Sequence, residues 1–66
     1  MEILVNGESL VVPEAISVAG LLEHLQLTGK HVAVEVNLRI VPRDRHAEHR
    51  LHSGDRLEVV TLVGGG

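Results

Sequence analysis

Apolar and polar residues alternate in two short runs near the start of the chain, over residues 1–5 and, in part, over residues 8–12. Alternation of this kind is typical of β-strands that turn one face to a core. Between the runs lie Asn6 and Gly7. This pair is the strongest short-range signal for a two-residue turn, because both residues accept a positive φ. The pattern therefore predicts an antiparallel hairpin at the beginning of the fold.

A helical spacing of apolar residues follows, after residues 13–16 have broken the strand pattern. The apolar positions fall at i, i+3, i+4 and i+7 and comprise Val18, Leu21, Leu22 and Leu25. They would form one stripe along a short α-helix. Ser17 stands where an N-cap hydroxyl can accept a hydrogen bond from the first free backbone N–H groups. Gly29 offers a stop, with the boundary uncertain by several residues.

Strand patterning returns in the second half of the chain. Residues 32–36 alternate and are rich in β-branched residues, which predicts a strand. A turn at residues 37–39 leads to a short strand, Ile40 and Val41, which Pro42 closes.

The remaining segment is expected to lead into a final strand. Residues 43–50 are polar and irregular, and Leu51 is expected to anchor them. Residues 53–55 form a turn in which the Asp55 side chain can bond a nearby backbone N–H. The last strand then covers residues 56–63.

One helix with an apolar stripe requires an apolar sheet face to cover it. The predicted fold class is therefore α+β, a mixed sheet of four to five strands wrapped around one main helix. This is the order of elements in the β-grasp, or ubiquitin-like, architecture. We expect residues 1–63 to form this domain and residues 64–66 to form a flexible C-terminal glycine tail.

Strand phase separates the core from the surface, because neighbouring side chains point to opposite faces. The residues expected to face inward are Met1, Ile3, Val5, Leu57, Val59 and Thr61. Glu58 marks the other face as solvated, so Leu4, Val60 and Leu62 would form an exposed apolar patch beside the tail. The alternative, which the phase leaves open, is that Val60 and Leu62 pack under the loop of residues 43–50.

Composition narrows the classes of function. Sixty-six residues make one small domain with a modest stability margin, and aliphatic side chains must fill its core because the chain has no Phe, Tyr or Trp. The chain has no cysteine, which fits a reducing compartment. A formal charge of −3 argues against a nucleic-acid partner. No apolar stretch approaches the ~20 residues that cross a bilayer, and the N-terminus lacks a basic start, so we expect a cytoplasmic protein.

The chain ends in Gly64, Gly65 and Gly66. Residues without a Cβ can enter a passage too narrow for a side chain. The terminal carboxylate is ionised at neutral pH, since such groups titrate near ~3.5. A thin arm with a carboxylate tip suits chemical activation by another protein. The alternative is a frayed chain end without a role.

The pattern of polar residues in and after the loop of residues 43–50 does not indicate a catalytic or metal site. Three histidines recur at a spacing of three: His46, His49 and His52. A metal site would need them to converge with a fourth ligand, and solvated loop histidines are the better interpretation. Ser53, Asp55 and a histidine lack the context of a catalytic triad. The loop also carries a basic island, Arg43, Arg45 and Arg50, for which solvated side chains and contacts to an acidic partner both stay open.

Over essentially its whole length the chain resembles the ThiS family of ubiquitin-like sulfur carriers in the bacterial thiamine pathway. The matching segments are Asn6-Gly7-Glu8, the helix stripe, residues 32–37, Ile40-Val41-Pro42-Arg43, Leu51 with Gly54-Asp55, residues 57–60 and residues 63–66. A terminal Gly-Gly is shared by many ubiquitin-like proteins, but its combination with this length and the Gly54-Asp55 turn is more specific. Relatives often carry an aromatic residue in the loop after Pro42, where this chain has His46.

The resemblance implies a mechanism and a set of partners. A ThiF-type adenylating enzyme would use Mg-ATP to adenylate the Gly66 carboxylate, while the carrier itself binds no cofactor. A persulfide supplied through a cysteine desulfurase would then yield a thiocarboxylate, and thiazole synthase (ThiG-type) would receive the sulfur. The three-residue tail reaches at most about 10 Å, so docking must set the geometry, and the patch of Leu4, Val60 and Leu62 is the candidate surface.

Three other carrier functions share the glycine end: the small subunit of molybdopterin synthase, a carrier for tRNA thiolation, and a protein conjugation tag. The short length favours the thiamine branch. A binding module with an inert tail is the alternative from another class.

Overall fold

The computed structural model describes residues 1–29 and 31–62. Its elements follow the predicted order, and most begin close to the predicted positions. They are β1 (Glu2–Val5), β2 (Glu8–Val11), α1 (Val18–His24), β3 (Val32–Val36), β4 (Arg39–Ile40), a 3₁₀ turn (Arg43–Arg45) and β5 (Arg56–Thr61).

The five strands form one mixed sheet in the order β2-β1-β5-β3-β4. β1 pairs antiparallel with β2 and parallel with β5, while β3 pairs antiparallel with both β5 and β4. A five-stranded mixed sheet with one helix confirms the predicted β-grasp fold. β5 occupies the centre of this sheet, between β1 and β3.

Both tight hairpins of the sheet turn through residues with positive φ. Asn6 (φ 51°) and Gly7 (φ 83°) join β1 to β2, which confirms the predicted hairpin. Asn37 (φ 53°) and Leu38 (φ 70°) join β3 to β4, so this turn ends one residue earlier than predicted. Val41 consequently lies outside β4, but it is buried and its N–H donates to the Val34 carbonyl at 2.9 Å.

The helix is short and begins where the sequence predicts. The Ser17 hydroxyl accepts a hydrogen bond from the Gly20 N–H at 3.0 Å, which confirms the N-cap. The helix ends at His24, well before Gly29, and Gln26 then adopts a φ of 61°. Of the predicted stripe, Val18, Leu21 and Leu22 are buried and Leu25 packs at the margin of the core.

The core between helix and sheet is built from aliphatic side chains. Its members are Ile3, Val12, Val18, Leu21, Leu22, Val34, Val36, Val41, Leu51, Leu57 and Val59. The burial of Leu51 confirms its predicted role as an anchor. Of the six residues expected to face inward, Thr61 is exposed, because β5 has run past the core at that point.

The loop of residues 43–50 is more ordered than its polar sequence predicts. The carbonyl of His46 accepts the Ala19 N–H and that of His49 accepts the Val18 N–H, both at 2.9 Å, so the loop is tied to the start of α1. The prediction that His46 is a solvated loop residue is wrong. Its side chain is 7% exposed, and Nε2 lies 3.1 Å from the Val41 carbonyl oxygen.

Within the described part of the chain, α1 is far too short to span a bilayer, and no helix there combines the length and apolar character that crossing requires.

Candidate functional site

The end of β5 leads from the centre of the sheet toward the glycine tail. β5 ends at Thr61, and the N–H of Leu62 still donates to the His31 carbonyl at 2.7 Å. The predicted modification site Gly66 and the other tail glycines, Gly64 and Gly65, lie outside the described residues. The candidate site is therefore the root of the tail, meaning residues 59–62 and the groups that hold them.

The two neighbours of β5 support it over different lengths. β3 pairs with it from Leu57 to Thr61, whereas the ladder with β1 contains only the pairs Leu4–Arg56 and Val5–Leu57. Because β1 runs parallel to β5 and turns away after Val5, the second half of β5 has a backbone partner on one side only.

On the other side, the Asn6 side chain takes the place of a strand. The backbone N–H of Asn6 donates to the Leu57 carbonyl at 2.9 Å, which is a regular step of the ladder. Its side-chain Oδ1 then accepts the Val59 N–H at 2.8 Å, and Nδ2 donates to the Val59 carbonyl at 3.1 Å. Sequence reasoning assigned Asn6 to the turn alone and missed this contact, which spans 53 positions and depends on the parallel pairing of β1 with β5.

Val60 and Leu62 lie on the solvent face of the tail root. They are 54% and 53% exposed, and Glu58 on the same face is exposed as well. The predicted strand phase is confirmed here, and the alternative in which both residues pack under the loop of residues 43–50 is wrong. Ala33, opposite Val60 on β3, is also exposed and extends this apolar surface.

Leu4, the third member of the predicted patch, lies apart from the other two. It is half-buried and pairs with Arg56. Val60 is four residues further along β5, roughly 13 Å at about 3.3 Å per residue. Arg56 lies beside Leu4, and the charged side chain of Glu58 occupies the solvent face of β5 between Arg56 and Val60. The structure thus brings Val60 and Leu62 together and leaves Leu4 at the far end of the strand.

The turn before β5 aligns the strand at its start. Asp55 Oδ2 accepts the His52 N–H at 2.8 Å, which confirms the predicted turn contact. Asn37 bonds the same turn, with Nδ2 donating to Asp55 Oδ1 at 3.0 Å and Oδ1 accepting the Arg56 N–H at 3.0 Å. Two turn asparagines therefore hold β5, Asn37 at its beginning and Asn6 near its end.

Two members of the basic island of the loop have local partners. Arg45 pairs with Glu48 at 3.1 Å, and Arg50 Nη1 donates to the Ala15 carbonyl at 3.2 Å. His49 is half-buried and His52 is exposed.

The comparisons with known proteins agree with this geometry. The model of the ThiS family matches residues 1–66. The Escherichia coli sulfur carrier protein ThiS is 32% identical over 66 residues, which cover both chains completely. The crystal structure of the thiamine biosynthesis protein ThiS from Geobacter metallireducens superimposes with a TM-score of 0.85, at 30% identity and with full coverage of both chains.

A longer relative contains a similar stretch. A thiazole synthase from Paramagnetospirillum magneticum is 39% identical over 66 residues, and this chain spans 20% of that protein's length.

Three findings together identify the family: the family model matches the full chain, the fold is shared, and the E. coli relative is matched over its complete length. The chain belongs to the ThiS family, the family of these sulfur carrier and thiamine biosynthesis proteins.

Proposed function

We propose that this chain carries sulfur for thiamine biosynthesis on its C-terminal carboxylate, as a protein co-substrate rather than a catalyst. The observation that carries the proposal is the position of β5, which runs through the centre of the sheet directly toward the glycine run in a chain that matches the ThiS family throughout. Membership of this family favours the thiamine branch over molybdopterin synthase, tRNA thiolation and protein conjugation.

The proposed chemistry has three steps. A carboxylate oxygen of Gly66 attacks the α-phosphorus of Mg-ATP on a ThiF-type enzyme, and pyrophosphate leaves. The terminal sulfur of an enzyme persulfide, formed with a cysteine desulfurase, then attacks the acyl carbon and AMP leaves. A second thiol cleaves the resulting acyl disulfide, so that the enzyme sulfurs end as a disulfide and Gly66 ends as a thiocarboxylate.

The absence of cysteine suits this chemistry. With none of its 66 residues a cysteine, the chain has no thiol that would compete for the persulfide or form a mixed disulfide. The carrier, the activating enzyme and the cysteine desulfurase would work together in the reducing cytoplasm.

Docking of the folded body would position the tail. Adenylation requires the carboxylate in line with the α-phosphate, which is mainly a matter of orientation. Since three glycines reach at most about 10 Å, the body must dock close to the partner's active site. Val60 and Leu62 form the exposed apolar surface nearest the tail, and they are the core of the proposed docking surface. Leu4 would contact a partner only if the interface extends along β5.

Thiazole synthase is the proposed acceptor of the sulfur. The support is the P. magneticum relative, which carries the name thiazole synthase and contains a stretch similar to this entire chain. A ThiG-type enzyme would take the thiocarboxylate tail into its active site, where glycines without side chains fit a narrow entrance.

Intact mass tests the proposal. Incubation with the activating enzyme, Mg-ATP and a persulfide source should raise the mass by the difference between sulfur and oxygen, and fragmentation should place the change on Gly66. A variant with one alanine appended after Gly66 serves as the control and should gain no mass, with unchanged thermal unfolding. An unchanged mass of the wild-type chain, with partners that are active on another carrier, would exclude the proposed function.

A further inference from the structure

The hydrogen bonds of Asn6 continue the sheet beyond the point where β1 ends. At Asn6 the backbone adopts a φ of 51° and leaves the sheet, so no further residue of β1 can pair with β5. The Asn6 amide carries one acceptor and one donor, as a peptide group does. Both bond the backbone of a single residue, Val59.

These bonds act on the side of β5 that lacks a second strand. Backbone groups of a strand alternate between its two neighbours. The Arg56 carbonyl and the Leu62 N–H bond the β3 side, through Asn37 and His31, whereas the Leu57 carbonyl bonds the β1 side. Val59 therefore presents its N–H and C=O to the β1 side. Within the described residues, Asn6 makes the last hydrogen bond on that side of β5 before the tail.

From this arrangement we infer that Asn6 is a positioning residue for the sulfur-carrying tail: its amide sets the direction in which the chain leaves the sheet relative to the docking residues Val60 and Leu62. The inference rests on the proposed function. A rotation of about 20° at the root would displace the tip of a ~10 Å arm by roughly 3 Å. A displacement of even ~1 Å from the reactive geometry can lower a rate 100-fold. Asn6 never touches the reacting atoms.

The substitution Asn6→Gly tests this role. Glycine accepts the positive φ of the turn without strain, so only the two side-chain bonds are lost. Asn37→Gly is the matched control, because Asn37 also has a positive φ (53°) and its side chain also makes two bonds. Each variant removes two side-chain hydrogen bonds, Asn37→Gly at the start of β5 and Asn6→Gly at Val59 in its second half.

Amide hydrogen exchange measures local opening of the backbone at the root of the tail. The Leu62 amide, bonded to the His31 carbonyl, should exchange about 10-fold faster in Asn6→Gly than in Asn37→Gly, after correction for global stability, since local opening precedes global unfolding at strand ends. Equal exchange in the two variants would overturn the inference, whatever the activating enzyme does.

The kinetics of adenylation measure how well the tail is positioned in the activating enzyme. With the activating enzyme, Asn6→Gly should lower kcat for pyrophosphate release about 10-fold while KM stays within about twofold, because docking is intact and only orientation is lost. Asn37→Gly should keep both values near wild type. An unchanged kcat in Asn6→Gly would also overturn the inference. Failure of the wild-type chain to be adenylated would instead count against the proposed function, and the exchange comparison would still decide the role of Asn6 at the root.

Discussion

His46 is the buried polar side chain of the described core, and its surroundings explain how an imidazole fits among aliphatic residues. The ring is 7% exposed and its Nε2 lies 3.1 Å from the Val41 carbonyl oxygen. No fully buried side-chain nitrogen of the described residues lacks a hydrogen-bond partner. The loop that carries it is also tied to α1 through the His46 carbonyl. One residue thus joins the loop, the helix and the segment after β4.

We expect His46→Ala to destabilise the protein by about 2–3 kcal/mol, because it removes a buried ring and leaves the Val41 carbonyl without this partner. His46→Phe restores the volume but not the hydrogen bond and should recover part of the loss. Urea unfolding provides the measurement. The matched control is His52→Ala, at a side chain that is 83% exposed, which should change stability by less than about 0.5 kcal/mol. Equal effects of the two alanine variants would show that His46 is not held in the core.

At the scale of elements, α1 depends on its contacts rather than on its own propensity. Its seven residues fall well below the ~12–15 that an isolated helix needs to be even marginally stable in water. Its stability comes from the burial of Val18, Leu21 and Leu22 against the sheet and from the cap at Ser17.

Ser17→Ala should therefore cost about 1 kcal/mol of unfolding free energy, since the Gly20 N–H loses its acceptor at the start of the helix. Thermal or urea unfolding followed by circular dichroism measures this change. Ser53→Ala is the control, because Ser53 lies exposed in the turn before β5 and its change should stay within about 0.5 kcal/mol. If Ser17→Ala is as stable as Ser53→Ala, the cap contributes nothing measurable.

At the scale of the whole molecule, a small aliphatic core supports a central strand whose end faces solvent. The inward residues Leu57 and Val59 hold β5 in place, while Val60 and Leu62 remain exposed next to the tail. Because the core and the outer face of β5 use different side chains, substitutions on the outer face should test the proposed docking surface without disturbing the core.

Leu62→Asp should weaken association with the activating enzyme at least about 10-fold, or ~1.4 kcal/mol, because a charge would replace an apolar contact of the proposed docking surface. Calorimetric titration measures the affinity, and thermal unfolding should show little change. Val11→Asp is the matched control, since Val11 is 71% exposed on β2 and separated from β5 by β1. An affinity of Leu62→Asp equal to that of Val11→Asp would remove Val60 and Leu62 as the docking surface.

Most of this fold could be predicted from local patterns. The Asn6-Gly7 turn, the Ser17 cap and the alternation of β3 and β5 each depend on residues adjacent in sequence, and each was confirmed. The burial of His46 could not be predicted, because its pattern is polar and its partner, the Val41 carbonyl, becomes available only once the chain has left β4.

The candidate site likewise has one part that the sequence predicted and one part that depends on tertiary structure. Strand phase alone placed Val60 and Leu62 on the solvent face, since each depends only on its own position along β5. The separation of Leu4 from them depends on the register of two strands distant in sequence, which pairs Leu4 with Arg56.

The sequence by itself determined which elements form, which faces they bury and that the chain ends in glycines, because periodicity and turn chemistry act between near neighbours. Only the tertiary structure decided what holds the root of the tail. Asn6 and Val59 are 53 positions apart, and their hydrogen bonds exist because β1 and β5 run parallel at the centre of the sheet. No local pattern encodes that pairing, since it is set by the packing of the whole domain.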